Sequence, residues 1–215
     1  MERTSIIREI MIRLDEILPP GESISHPFEN HINSILDESY RQILNDCPVS
    51  LLPLKEITAT VIYEPDDTFG EVDDLFMAYV PVPDDFIRLG LFKFENWKNP
   101  ATKYITVESP QYKEVKTGFL AGGVVNPLVV LTHAKKGEDA SPKRYLVCYK
   151  ITIADSEEYL YYVYYDKDEG ITALSDLVIV GLSWCAAAKF MQIFELPGVS
   201  LAEERYKQFI ISNAK

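Results

Sequence analysis

Apolar residues recur every three or four positions near both ends of the chain, whereas β-branched and alternating patterns fill the middle. Residues 1–54 predict two amphipathic helices, each with one apolar stripe and an opposite polar face. Thr4 would cap the first helix and Pro19-Pro20-Gly21 would end it, while the second would begin near Pro27 and end at 45–48. Each stripe needs a partner, and a helical hairpin would cover both. The stripes comprise Ile6, Ile7, Ile10, Met11, Leu14, Ile17 and Leu18 in the first helix, and Phe28, Ile32, Ile35, Leu36, Tyr40, Ile43 and Leu44 in the second.

Residues 55–170 predict a β-rich module, because β-branched or alternating runs are bounded there by turn residues. A short helix would begin at Ser109 and Pro110, with Ser109 as its cap. The run at 159–165 is rich in tyrosine and has no basic residue, which favours cross-strand aromatic packing over a stacking platform for nucleobases. The predicted strands are 57–63, 75–82, 91–97, 102–108, 126–132, 144–153 and 159–165.

The stretch at 79–97 organises this module. Pro81 and Pro83 cannot donate to a hydrogen-bond ladder, so they would break the preceding strand. Asp84-Asp85 then predicts a turn, after which apolar side chains return to the core before a new strand runs from Leu91.

Two further helices are predicted at the C-terminal end. Residues 173–194 are largely apolar and include small residues that permit close approach of neighbouring helices. The continuous apolar centre is shorter than the ~20 residues that a membrane span needs, so we expect a central helix buried on most sides against the N-terminal helices. Pro197-Gly198 then breaks the chain, and Ser200 with Glu203 predicts a capping box at the start of the last helix.

These elements define an α+β protein. We expect the N- and C-terminal helices to form a helical bundle with an inserted, mostly antiparallel β-sandwich or barrel-like module. The predicted divisions are 1–54 for the N-terminal helices, 55–170 for the β module and 171–215 for the helices that complete the bundle.

The net charge changes the functional expectation. The 215 residues include 33 acidic and 21 basic side chains, for a formal net charge of -12. Static binding to nucleic acid needs clustered Lys and Arg and is therefore not expected, although a polyanion could still pass along a repulsive surface. The first residues are partly acidic and lack a continuous apolar segment, so we expect no signal peptide.

The chain contains no recognisable catalytic or metal motif. Cys47, Cys148 and Cys185 are odd in number and widely spaced, so neither a disulfide framework nor a zinc knuckle is expected, and a reduced intracellular setting fits better. No nucleophile–base pattern or phosphate-binding loop is present, and we expect no catalytic residue, cofactor or metal. The histidines, which we expect at the surface, are His26, His31 and His133.

An acidic segment at 64–74 predicts a loop or hairpin tip. Its aspartates lack the spacing of an EF-hand, so a solvated acidic tip is expected rather than a cation site.

Several features together carry a family resemblance. A proline-rich strand end runs into Pro83-Asp84-Asp85-Phe86-Ile87-Arg88-Leu89 and then into an aromatic strand that reaches Trp97. Later come a Ser109-Pro110-Gln111 turn, a Gly-rich loop into Asn126-Pro127, and an apolar helix with Trp184. Over about residues 57–194 this combination resembles the head-to-tail connector (adaptor or ring) proteins of tailed bacteriophages, especially those of the crAss-like group.

The resemblance implies a non-enzymatic structural protein of the virion, located at the portal–tail junction and in the host cytoplasm during assembly. Copies would form a homo-oligomeric ring, dodecameric by portal symmetry, that binds the portal protein and further tail or ring proteins. Viral DNA would pass without sequence-specific binding, and no membrane is involved. The exposed acidic tip would serve as an interface or face the lumen, and its candidate residues are Asp66, Asp67, Glu71, Asp73 and Asp74.

Two other functions stay open. A tail-tube terminator or tail completion protein would also form a ring, but its partner would be the tail tube. A ligand-binding or enzymatic domain with an unrecognised pocket on the sheet would be a monomer or small oligomer. Buried Asp84 and Asp85 with raised pKa values beside a cavity would favour that last function.

Overall fold

The computed structural model describes residues 2–18, 29–57, 61–66, 75–116, 125–136, 141–151, 158–167 and 169–214. These residues form five α-helices and eight β-strands, with short 3-10 turns at Val49–Leu51 and Gly170–Ala173. The chain divides into two compact units, one of Met1–Pro53 with Val163–Lys215 and one of Leu54–Tyr162. The predicted α+β class, with helices at both ends and an inserted, mostly antiparallel β module, is confirmed. Sequence patterns place the end of the β module at residue 170, whereas the chain returns to the helical unit at Val163.

The first two helices are α1, Arg3–Ile17, and α2, Glu29–Asp46. The hydrophobic stripes predict their buried faces well. The prediction that Thr4 caps α1 is wrong, because the helix begins at Arg3 and no side chain caps it from Glu2. The buried stripe residues are Ile6, Ile7, Ile10 and Leu14 in α1, and Ile32, Ile35, Leu36, Tyr40, Ile43 and Leu44 in α2.

The last two helices are α4, Asp176–Ile193, and α5, Val199–Asn213. Ser175 caps α4, since its hydroxyl oxygen accepts the backbone N–H of Val178 at 3.4 Å. The capping box predicted at Ser200 is wrong. The chain turns at Gly198 with φ +97°, so α5 has already begun when Ser200 is reached, and no side chain caps it.

Helix α4 is the centre of the helical unit. It packs against α1, α2 and α5, whereas α1 and α2 contact each other much less than they contact α4. Its buried residues face nearly every direction, as expected for a helix enclosed by neighbours. By length and composition α4 could cross a membrane, contrary to the prediction that its apolar run is too short. However, 61% of the helix is buried in the structure, and the core helices of soluble proteins can be equally long and apolar.

A close contact between α4 and α5 depends on Gly181. A Cβ atom added at this position would lie 2.3 Å from the ring of Phe209, far inside the van der Waals contact distance. The absence of a side chain at Gly181 therefore lets the two helices approach and lets the Phe209 ring cover α4.

The β unit contains two sheets and one short helix. The five-stranded sheet has the order β2-β3-β7-β6-β5, in which only β5 and β6 pair in parallel among the pairings that the structure describes. The three-stranded sheet has the order β1-β8-β4, and the short helix is α3, Pro110–Lys116. The strands are β1 Leu54–Ile57, β2 Ile62–Pro65, β3 Phe76–Pro81, β4 Phe86–Phe94, β5 Ile105–Thr106, β6 Val129–Ala134, β7 Lys143–Ile151 and β8 Glu158–Tyr164.

Three predicted strands differ from the observed ones. The run at 57–63 does not form one strand, since β1 ends at Ile57 in one sheet and β2 begins at Ile62 in the other. Strand β4 begins at Phe86 rather than Leu91, because the chain regains extended geometry directly after the Asp84-Asp85 turn. The alternating run at 102–108 pairs only at Ile105–Thr106.

Aromatic and β-branched side chains fill the β unit. One cluster contains three buried tyrosines, Tyr79, Tyr145 and Tyr149, packed with Val115, Val130 and Val147. A second cluster joins Phe92, Phe94 and Trp97, whose ring centroids lie 5.1–5.4 Å apart in edge-on arrangements. The cross-strand aromatic packing predicted for the run at 159–165 is present at Tyr162 of β8, whose ring stacks on Phe86 of the neighbouring β4 with centroids 5.8 Å apart.

We predict that Gly181→Val destabilises the protein by about 1–3 kcal/mol, since the added side chain must displace the Phe209 ring from a packed helix contact. Urea unfolding followed by far-UV circular dichroism measures the change. Gln192→Val introduces the same side chain at an exposed position of α4 and should change stability by only about 0.5 kcal/mol. Equal effects of the two substitutions would contradict this account of the Gly181 contact.

Candidate functional site

The first of the five candidate acids in the acidic segment, Asp66, is buried. Asp66 is only 3% exposed, so it is not part of a solvated tip, and this part of the prediction is wrong. Asp67, Glu71, Asp73 and Asp74 lie outside the described residues, and their role stays a prediction.

The position of Asp66 follows from the pairing of β2, β3 and β7. Its backbone N–H donates to the carbonyl oxygen of Leu75 at 2.9 Å, which closes the β2–β3 connection. Its carboxylate accepts the backbone N–H of Lys150 at 3.1 Å. Lys150 has a φ of +57°, a left-handed conformation that is uncommon for a residue with a side chain.

A β-bulge explains the contact between Asp66 and Lys150. Phe76 pairs with Ile151 and Ala78 with Cys148, so one residue of β3 faces two residues of β7. The bulge turns the Lys150 N–H out of the regular ladder between β3 and β7. The Asp66 carboxylate accepts this N–H instead. Asp66 therefore stabilises the base of the acidic segment and joins it to β7.

The turn after β3 is held by one arginine. Arg144 donates to the carbonyl oxygens of Pro83 at 2.9 Å, Asp84 at 3.2 Å and Phe86 at 3.5 Å. Its guanidinium also lies 5.9 Å from the centroid of the Phe86 ring. The rigid fork of donors on an arginine suits such a cluster of carbonyls. The segment that carries the family resemblance is thus a fixed turn.

Asp84 and Asp85 do not form the buried acid pair that an enzyme site on the sheet would favour. Asp84 is exposed, and Asp85 is partly exposed. The Asp85 carboxylate accepts hydrogen bonds from the Lys55 ammonium at 2.7 Å and from the Tyr162 hydroxyl at 3.0 Å. These contacts join the turn to β1 and β8, so Asp85 has a structural role.

The described histidines agree with the expectation that they lie at the surface. His31 and His133 are exposed, whereas His26 lies outside the described residues. All three cysteines are buried, and none of them forms a disulfide. Burial raises the pKa of the Cys148 thiol, so this side chain stays protonated at neutral pH. Within the described part of the chain, no group of three His, Cys, Asp or Glu side chains is placed to hold a metal ion.

A groove of about 710 Å³ lies in the helical unit, and α2, α4 and α5 line it. Cys185 and Ala188 of α4 are buried at the groove, whereas Ile193 and Ile211 are 61% and 68% exposed. Charged and amide side chains complete the lining: Glu38, Gln42, Asp46, Lys189, Gln192, Glu203 and Lys207.

Polar contacts join the helices around this groove. Lys189 of α4 forms an ion pair with Glu38 of α2. The Tyr206 hydroxyl of α5 donates to the Asp46 carboxylate of α2 at 2.8 Å, and the Gln42 side chain donates to the same carboxylate at 3.3 Å. Burial, and then the hydrogen bond to Asp46, raise the pKa of Tyr206, so its hydroxyl remains a donor at neutral pH.

Cys185 is not an activated thiol despite its place at the groove. Burial raises its pKa to about 11, and the nearby Lys189 ammonium opposes this shift only in part. A thiol of this kind is a poor nucleophile near neutral pH. The groove therefore offers an apolar surface with paired charges rather than a reactive centre.

The groove was not predicted from the sequence. Helix α5 does carry part of a pattern for the groove, because four of its groove residues lie on one side of the buried stripe: Glu203, Lys207, Ile210 and Ile211. The amphipathic pattern of one helix does not show which neighbouring helix leaves that side uncovered. The gap between α2 and α5 arises from the packing of three helices and has no local sequence signature.

Comparison of the sequence with protein-family models gives no match, and comparison with curated proteins gives no significant match.

We predict that Asp66→Ala destabilises the β unit by about 1–3 kcal/mol, since the partly buried N–H of Lys150 loses the Asp66 carboxylate as acceptor. Urea unfolding monitored by tyrosine and tryptophan fluorescence measures this change. Asp66→Asn keeps an acceptor oxygen and should cost less, and Asp84→Ala, at an exposed turn position, should be nearly neutral. An unchanged midpoint for Asp66→Ala would refute the anchoring role.

Proposed function

We propose that this protein is a head-to-tail adaptor, a ring subunit that joins the portal to the tail of a bacteriophage around the DNA channel. The work of such a subunit is mechanical, because it docks two assemblies and lets DNA pass. The observation that carries the proposal is the arrangement of the chain, in which segments from both ends build one helical unit and a β unit is inserted between them.

The fixed turn at 83–86 supports the proposal. The sequence resemblance to connector proteins depends on this turn and on the aromatic strand that follows it. Arg144 binds three carbonyl oxygens of the turn, and the aromatic cluster that includes Trp97 packs at the far end of the strand. The features behind the resemblance are therefore well-ordered elements with defined contacts.

The charge of the chain also supports the proposal. A protein with a formal net charge of -12 repels a polyanion at long range, which suits passage of DNA without static binding. The described acids Glu64 and Asp85 are paired with Lys136 and Lys55. The part of the acidic segment at 67–74 contains four of the five candidate acids and is the candidate for a surface that faces DNA or a neighbouring ring.

The experiment that tests this function is cryo-electron microscopy of the protein mixed with the portal protein encoded in the same genome neighbourhood. We expect density for this chain as a closed ring on the tail side of the portal. A ring on the end of the tail tube instead would favour a terminator or completion protein. Failure to bind either partner would overturn the structural function.

We predict that replacing residues 67–74 with a short Gly-Ser linker leaves the fold intact but impairs particle assembly. Asp66 and Leu75 stay in place, so the β2–β3 connection and its bond to Lys150 are kept. Circular dichroism checks the fold, and complementation of a phage lacking the gene counts infectious particles. The matched control replaces 137–140, in the β6–β7 connection, and should assemble normally. Normal assembly of the 67–74 variant would remove this segment from the interface.

A further inference from the structure

Two unlike surfaces flank the contact between α4 and α5. One is the groove described above. The other, which we term the back surface, consists of Leu177 and Val180 of α4 and Leu201 and Arg205 of α5, all of which are exposed.

On α5, the helical period places the back surface and the groove on opposite sides of the buried stripe. The buried stripe of this helix contains Ala202, Tyr206 and Phe209. Glu203 and Lys207, which line the groove, come directly after Ala202 and Tyr206 in the sequence and lie on one side of the stripe. Leu201 and Arg205 come directly before the same two buried residues and so lie on the other side of the stripe.

The same reasoning applies to α4. Gly181 marks the line along which α4 meets α5, because it faces the Phe209 ring. Lys189 and Gln192 project on the groove side of that line, and the helical period places Leu177 and Val180 on the opposite side. The two helices thus present an apolar surface on each flank, although their polar residues differ.

The charges of the two surfaces are complementary. The groove has three carboxylates, from Glu38, Asp46 and Glu203, and two ammonium groups, from Lys189 and Lys207, which gives a net charge of -1. The lysines pair with Glu38 and Glu203. Asp46 has only neutral donors among the described residues, and it is exposed.

The back surface has the opposite unpaired charge. Arg205 is exposed and has no ion-pair partner among the residues that the structure describes. It lies one helical turn from Leu201, so a neighbour that covers this leucine meets the guanidinium as well. Among the described residues, the back surface is therefore apolar with an unpaired cation, Arg205, whereas the groove is apolar with a carboxylate, Asp46, that no cation compensates. The two surfaces match in both respects.

We infer that the back surface of one copy of this chain docks into the α2–α4–α5 groove of the next copy, with Arg205 of the first copy pairing with Asp46 of the second. This inference rests on the proposed function for the partner, a second copy in a ring. Two different surfaces that fit each other make a heterologous contact, which generates a closed ring when the rotation between successive copies closes. A helix flank in an apolar groove is also a recurrent recognition geometry.

Long-range charge opposes this association in dilute solution. Each copy carries a net charge of -12, and repulsion between copies extends about 8 Å at physiological ionic strength. The contact should therefore be weak for free subunits and be populated at high protein concentration. A cross-linking assay can detect such a contact.

The experiment uses the full chain with Gln42→Cys, on the groove, and Gln208→Cys, on the back-surface stripe of α5, treated with a bis-maleimide at high protein concentration. The native cysteines are buried and leave the introduced pair as the accessible thiols. We expect a ladder of dimers and larger species on a denaturing gel. The single variants should each stay monomeric, and Gln42→Cys combined with Arg8→Cys, on the exposed face of α1, should give no ladder.

Charge variants test the named pair. In the background that forms the ladder, Arg205→Glu should lower the yield about tenfold, as expected for loss of one charge-assisted pair and gain of a repulsive one. Arg205→Lys should retain most of the yield. The inference is wrong if the double-cysteine variant gives no ladder, if either single variant forms dimers as efficiently, or if Arg205→Glu has no effect.

Failure of this inference can be separated from failure of the proposed function. If no ladder forms but the protein still gives a ring on the portal, the copies meet through other surfaces and the adaptor function stands. If the ladder forms but neither portal nor tail tube binds, the groove contact stands and the adaptor function fails.

Discussion

The helical unit depends on the burial of α4 among helices from both ends of the chain. Helix α4 has no polar face of its own along most of its length, so it requires neighbours on nearly every side. The N-terminal helices and α5 supply them, and Gly181 lets α5 approach closely enough for the Phe209 ring to cover the backbone. This requirement brings the N- and C-terminal segments together and makes the β unit an insertion.

The hydrophobic pattern predicts this architecture because burial acts over whole elements. All four buried stripe residues of α1 and the continuous apolar run of α4 are readable in the sequence, and each demands a covered surface. Helix ends are less predictable. Thr4 and Ser200 have the right chemistry for caps, but each helix begins earlier than the residue that was expected to cap it. At α5 the left-handed turn at Gly198 fixes the start, and only the packed structure shows that Gly198 lies against Ile17.

Asp66 shows why the candidate site could be predicted only in part. In the sequence it is one of several acids in a polar segment, and a solvated position is the natural expectation for each of them. In the structure its carboxylate instead accepts the N–H of Lys150, a residue 84 positions away that lies at a bulge in the ladder. A bulge depends on the register of two strands, and that register is set by long-range pairing rather than by local composition. The groove between α2 and α5 is a property of packing for the same reason.

In the proposed ring, electrostatics determines how strongly acidic copies of this chain contact one another. At physiological ionic strength, exposed charges separated by more than about 8 Å are largely screened, so the net charge of -12 limits the approach of copies without deciding which surfaces meet. Once two surfaces touch, local pairing matters more, because apolar contact removes water from the charges at its edge. Both lysines that line the groove are already neutralised within the subunit, Lys189 by Glu38 and Lys207 by Glu203. The unpaired Arg205 and the uncompensated Asp46 then become the charges most able to select an orientation, and the apolar residues beside them supply the contact area that a single exposed ion pair cannot replace.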